Sequence, residues 1–252
     1  MNRLFCLGVA FLFTSFVGIC QSATYRLWAE APTIEQEATS IWRTINDIEF
    51  LQQHGYTINL PEHPLINSLL EKSKNGHFGN EDFPVIYSIV EDLYDEENYK
   101  AAIQKVNAEI PLLDNLINTL DDSRKDWDWN FNRFKQYHVT FTLYGTGGSY
   151  DPDAGRITML TNKTGGFMRY ENPANTIIHE IVHMGIEHLI QKYKVPHPEK
   201  ERIVDRFVVL MFGKELKEYK VQNMGNTEID ELLAQRSDLQ TLPAVIQQVS
   251  GD

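Results

Sequence analysis

The sequence predicts an α+β fold: a mostly helical N-terminal region, then a small β-sheet followed by a long helix and further C-terminal helices. Three observations carry this expectation. Apolar residues recur at spacings of three and four from about Thr33 to Leu120. At Tyr137 the pattern changes to alternation, in YHVTFTLYG and again in RITMLTN. A second stretch of helical spacing opens after Asn172-Pro173, a pair that reads as a helix start. The 252 residues suffice for one large domain or two small ones. The expected division is a helical region over 23–135 and a mixed region over 136–252.

The first segment reads separately. Arg3, the apolar stretch Leu4 to Ile19 and the small residues Ser22 and Ala23 have the layout of a secretory signal peptide, residues 1–22, with the cut after Ser22 or Ala23. The apolar stretch is interrupted by Thr14, Ser15 and Gly18 and is short for a membrane span. Ile19 stands before Cys20, where a lipidation signal needs a small residue. Both cysteines, Cys6 and Cys20, lie in this segment, so neither a disulfide framework nor a thiol catalyst is expected in the mature chain. The expected location is secreted or periplasmic, with no stable membrane insertion after the signal is removed.

In chain order, Ile34, Ala38, Ile41, Trp42, Ile45, Ile48 and Leu51 mark the first helical stretch, and Gly55 ends it. Further helices are expected at Leu65–Leu70, Phe83–Leu93 and Tyr99–Leu120. His54, His63 and His77 sit near turns, where exposure is the ordinary explanation. Trp127, Trp129, Phe131 and Phe134 read as a packing seam rather than a ligand platform. GTGGSYDPDAG, between the two alternating runs, and KTGGFMRYENP, after them, read as loops. The formal net charge of −12 makes nucleic acid and anionic membrane surfaces poor partners.

The chemistry concentrates in NTIIHEIVHMGIEHLIQKY, residues 175–193. On a helix, His179 and His183 share a face and can direct ring nitrogens to one metal, with Glu180 one step round. Ile177, Ile178, Ile181, Val182 and Ile186 give the helix flanks wide enough to bury it, and buried imidazoles need a metal or a hydrogen-bond network. The candidates for a third ligand are Glu187, His188, His197, Glu199, Glu201 and Asp205. Glu187 lies on the same rigid helix and reads as a rim residue. His188 points about 140° away from His183 and is expected to be exposed. His197, between Pro196 and Pro198, lacks rigid support. Glu201 and Asp205 share a face of the next apolar helix, EKERIVDRFVVLMFG. The plain account is helix-start electrostatics for Glu201 and pairing of Asp205 with Arg202 or Arg206. The sharper account makes Glu201 the third ligand and Asp205 the acceptor that orients a histidine, His179.

His179-Glu180-x-x-His183, seventeen residues, then Glu201-x-x-x-Asp205 resembles the gluzincin metallopeptidases, the thermolysin-like branch of the zincins, over roughly residues 155–212. The longer metzincin pattern is absent, since Ile186 and Leu189 stand where it has Gly and a third His. The resemblance implies a zincin-like catalytic core within 136–252 and Zn2+ held by His179, His183 and Glu201. It also implies Glu180 as general base, Asp205 as outer support, and a strand along the substrate, by position Arg156–Thr161. It supplies no residue for the oxyanion, for which Tyr219, His197 and Tyr170 are candidates. The expected function is an exported zinc-dependent peptidase acting on a protein or peptide substrate. Two alternatives stand beside it: an inactive zincin-fold binding or scaffold protein, and a helical interaction module without metal.

Overall fold

Four short strands form one mixed sheet, and all remaining regular structure in the computed structural model, which describes residues 25–250, is helical. The expected signal segment, with Cys6 and Cys20, lies outside the described residues. The main elements are β1 (Arg26–Ala29), α1 (Ile34–Asn46), α2 (Ile48–Gln53), α3 (Pro64–Lys74), α4 (Phe83–Leu93), α5 (Lys100–Ser123), β2 (Gln136–Thr142), β3 (Gly148–Asp151), β4 (Arg156–Leu160), α6 (Ala174–Lys192), α7 (His197–Phe212), α8 (Glu228–Leu232) and α9 (Leu242–Val249). The strand order is β1-β2-β4-β3. The pairs β1–β2 and β2–β4 are parallel, and β3 runs antiparallel to β4.

Local chemistry sets the helix ends. Thr33 and Gln36 make a reciprocal capping box that starts α1, with bonds of 3.2 and 2.8 Å. The Asn172 side chain accepts the Ala174 N–H at 2.8 Å and opens α6. Pro198 sits in the first turn of α7, and Gly213 follows its last residue.

The described residues pack into two hydrophobic cores. The larger joins one face of the sheet, through Leu27, Tyr137, Val139, Phe141, Ile157 and Met159, to α5, α6, α7 and α9. The smaller is a lobe in which Ala38, Ile41 and Ile45 of α1 pack on Ile66 and Leu69 of α3 and on Ile86, Ile89 and Val90 of α4. Glu37 ties the two together. Its buried carboxylate accepts the hydroxyls of Tyr99 and Thr142 and, at 2.8 Å, the Leu143 N–H. Burial outweighs these bonds and pushes its carboxyl above the usual range. Trp127 and Trp129 stack with ring centroids 4.9 Å apart, and Trp127 and Phe131 pack on Phe207 of α7. Phe131 is also why position 185 is glycine: any Cβ there would overlap its ring.

Three sequence expectations need correction. No strand was expected before Tyr137, yet β1 pairs with β2; it is four residues long with one buried side chain, Leu27, too little for a periodic signal. The segment read as the loop 145–155 contains β3. Arg156–Thr161, expected along the substrate, is instead an interior strand: β4 pairs with β2 on one side and β3 on the other, which uses both of its edges. β3 and β1, at the two ends of the sheet, each have a free edge.

Candidate metal centre

His179 and His183 lie one turn apart on α6, so their rings fall on one face, and α7 brings Glu201 and Asp205 against that face. The Nε2 atoms of the two imidazoles are 2.9 Å apart. Glu201 meets both: Oε2 is 3.3 Å from His179 Nε2, and Oε1 is 3.4 Å from His183 Nε2. All three side chains are buried, and their donor atoms lie within 4.8 Å of one another, a group that can hold a metal ion.

A supporting network stands behind them. His179 Nδ1 donates to the Tyr219 hydroxyl at 2.5 Å, which in turn donates to Asp205 Oδ1 at 2.5 Å. Asp205 Oδ1 is also 3.3 Å from that Nδ1, and Oδ2 accepts the Gln222 N–H at 2.6 Å. These bonds fix the His179 tautomer with Nδ1 protonated and Nε2 turned to Glu201 and His183. The Gln222 amide donates to Glu201 Oε2 at 3.2 Å, so one short segment steadies both helices' contributions. Asp205 pairs with neither Arg202 nor Arg206, which bind Asp230 and the Leu233 carbonyl. His183 Nδ1 has no hydrogen-bond partner among the described residues.

The charges follow from burial and neighbours. Burial alone would depress His179, but Asp205 and Glu201 outweigh it and hold the ring up to about 10. Burial pushes His183 down to about 4, against the pull of Glu201. Burial opposes ionisation of Glu201, yet the two imidazoles prevail and hold it well below the usual carboxylate range. Glu180 differs from all of these. It is buried, no described protein group hydrogen-bonds its carboxylate, and burial raises it to about 7.

The centre opens onto a cleft of about 880 Å³ whose walls come from the helical lobe, through Arg43, Phe50 and Tyr56, and from the sheet side, through β3 and the segment after β4. No protein-family model, curated protein or solved structure matches this chain.

Gly148 on β3 lies against Glu180: a Cβ there would collide with the carboxylate. Tyr150, two residues on, stacks on His183 at 4.9 Å and donates to Glu187 Oε2 at 2.6 Å, which keeps Glu187 on the cleft wall, away from the ligand group. His197 is the first residue of α7, and it has the support that its flanking prolines alone do not offer. Tyr56 of the lobe bonds its Nε2 at 2.8 Å, and its Nδ1 is 3.7 Å from Glu201 Oε1. A carboxylate facing Nδ1 favours a proton there, so Tyr56 donates to Nε2 and His197 presents an N–H to the centre.

Tyr219 is enclosed behind His179 and does not line the cleft, which removes it as an oxyanion donor. Tyr170 lines the cleft, but its hydroxyl is bonded to the Lys220 carbonyl. His188 is half-buried rather than exposed, with Nδ1 closed off and unpartnered. His54 and His77 are exposed, while His63 is half-buried and caps α3. Gln222, Tyr56 and Gly148 carry no sequence signal, because each reaches the site across the fold rather than along a helix.

Proposed function

We propose that this chain is an exported zinc-dependent peptidase of zincin type that hydrolyses peptide bonds with Glu180 as general base. The observation that carries the reading is Glu180 itself, a buried carboxylate that no described residue hydrogen-bonds, beside a two-histidine, one-carboxylate donor set. A structural metal site has no use for such a group, which costs stability, whereas a hydrolase needs a base poised near neutral pH.

The donor set fits zinc. Two nitrogens on a tetrahedral zinc at about 2.0–2.1 Å stand about 3.3 Å apart. The Nε2–Nε2 separation of 2.9 Å, and the 3.3 and 3.4 Å from these nitrogens to the two Glu201 oxygens, are of that size. His179, His183 and Glu201 would hold the ion, with the cleft side left open. When bound, zinc makes a water acidic and polarises the scissile carbonyl.

The chain supplies the rest. Glu180 accepts the water's proton and delivers it to the leaving amine. The His197 N–H, set by Tyr56, donates to the carbonyl oxygen as it gains charge. The free edge of β3, beside Glu180, offers backbone groups to an extended substrate. Asp205 and Tyr219 keep the His179 ring from turning. The apolar leader after Arg3 supports export.

The test is metal content and peptide hydrolysis on the same preparations of wild type, Glu180→Gln and Glu201→Ala, with iron measured beside zinc. The expected result is one zinc per chain in the first two and loss in the third. Hydrolysis is expected in wild type and reduced about 10²–10⁴-fold in Glu180→Gln. A metal-free wild type after reconstitution, or a Glu180→Gln protein of full activity, ends this reading.

A further inference from the structure

The cleft runs against the charge of the molecule that contains it. Three cations line it, Arg43, Arg169 and Lys200, in a chain of formal charge −12. They arrive from three separate places: the last turn of α1, the segment after β4, and the position on α7 next to Glu201. None of them lies within ion-pair distance of a carboxylate among the described residues.

Two of the three are held by tyrosines rather than by counter-charges. The Arg169 guanidinium stands 5.1 Å from the Tyr170 ring centre and gives one N–H to the Lys220 carbonyl. Lys200 Nζ donates to the Tyr150 hydroxyl at 3.5 Å and stands 5.7 Å from that ring's centre. Such contacts orient a cation and leave its charge unneutralised.

Three carboxylates also line the cleft, and two of them are engaged. Glu201 faces the two imidazoles and Gln222; Glu187 accepts from Tyr150 and Gln191. The third, Glu180, is hydrogen-bonded by no described residue. Three cations balance three carboxylates, and a bound divalent ion tips the balance to positive. Charges farther away than about 8 Å are largely screened at physiological salt, so the cleft's own groups decide what it attracts.

We propose that the cleft selects substrates carrying a carboxylate close to the scissile bond, recognised by Arg43, Arg169 and Lys200. The proposal rests on the peptidase reading for the substrate's being a peptide, and on the charge pattern alone for its sign. A carboxylate can come from an acidic side chain or from the substrate's C-terminus, and both present the same planar acceptor to an arginine fork.

The experiment measures peptide binding to zinc-loaded Glu180→Gln protein, so that affinity is read without turnover. Four matched peptides are compared, with Glu or Gln at the central position and a free or amidated C-terminus, and the wild-type enzyme is assayed on the same four. The expected result is about tenfold tighter binding of the carboxylate-bearing peptides, weakening as salt is raised. Preference that follows the Glu-to-Gln change assigns the side chain, and preference that follows amidation assigns the terminus.

Arg43→Glu and Arg169→Glu are expected to shift the preference toward a peptide with Lys at the central position, which a merely structural role would not produce. Equal affinity for all four peptides, or an unaltered preference in both variants, overturns the proposal. Wild type that cleaves none of them, while Glu180→Gln still prefers the carboxylates, sinks the hydrolytic reading and leaves the charge selection standing.

Discussion

Without a metal, the residues of the centre form a trap for one proton. His179 is held up to about 10 and His183 is pushed down to about 4, so at neutral pH the pair shares one proton along the 2.9 Å Nε2–Nε2 contact. Metal must displace it. Binding at pH 7 is therefore expected to release about one proton per ion, and the apparent affinity to rise about tenfold per pH unit between roughly pH 5 and 9. Calorimetry in buffers of different ionisation enthalpy reads this directly, and the absence of release would mean a neutral His179. The stability of the metal-free protein follows the same logic with opposite signs at the two groups. The contribution of His179, whose ring is raised from 6.5, is complete below that pH and fades as pH climbs through about 10. The contribution of Glu201, lowered from 4.5, is present above that pH and is lost on acidification. At Gly148 the prediction concerns position rather than charge. Gly148→Ala forces the Glu180 carboxylate aside, so kcat should fall about a hundredfold with zinc content unchanged; loss of zinc as well would place the damage elsewhere. The spacing of His179, Glu180 and His183 was legible because a helix turns sequence intervals into directions. Glu201 and Asp205 were legible for the same reason. Tyr56 and Gln222 were not, since a side chain that arrives from a turn leaves no interval to read.

Among the elements, the helices announced themselves and the sheet did so only in part. β2 and β4 alternate long enough to show a period, whereas β1 and β3 have four residues each, and β3 is hidden in a run of glycines that reads as a turn. Its strand character comes from pairing with β4 rather than from its own composition. The joint between lobe and sheet was equally silent, because a glutamate at position 37 looks like any acidic residue in a first helical turn. Glu37→Ala leaves the Tyr99 hydroxyl and the Leu143 N–H buried without an acceptor, while the Thr142 hydroxyl keeps the Tyr144 carbonyl. It is expected to cost about 2–4 kcal/mol in a denaturant titration. Glu37→Gln should cost less, since burial already pushes this carboxyl toward its neutral form and an amide oxygen can still accept. Equal losses in the two variants would show that the bonds to Tyr99, Thr142 and Leu143 are not what holds the joint.

For the molecule as a whole, the two cores are built from apolar side chains rather than from the candidate metal donors, so the fold is not expected to depend on an ion as a zinc finger does. Chelation is expected to lower the melting temperature while leaving the far-ultraviolet circular dichroism intact. At a free metal concentration a thousandfold above Kd, the stabilisation should be about 4 kcal/mol. Collapse of the secondary structure on chelation would contradict this. The cleft is lined from the helical lobe, where Arg43 stands, and from the sheet side, where Arg169 follows β4. A substrate that engages both residues bridges the two bodies and favours the arrangement in which they are docked. Coupling of this kind is reciprocal. Whatever factor the substrate contributes to holding the lobe in place, the docked lobe returns to the substrate's affinity. Glu37, which touches none of the candidate metal donors, would thereby bear on how tightly a ligand in the cleft binds.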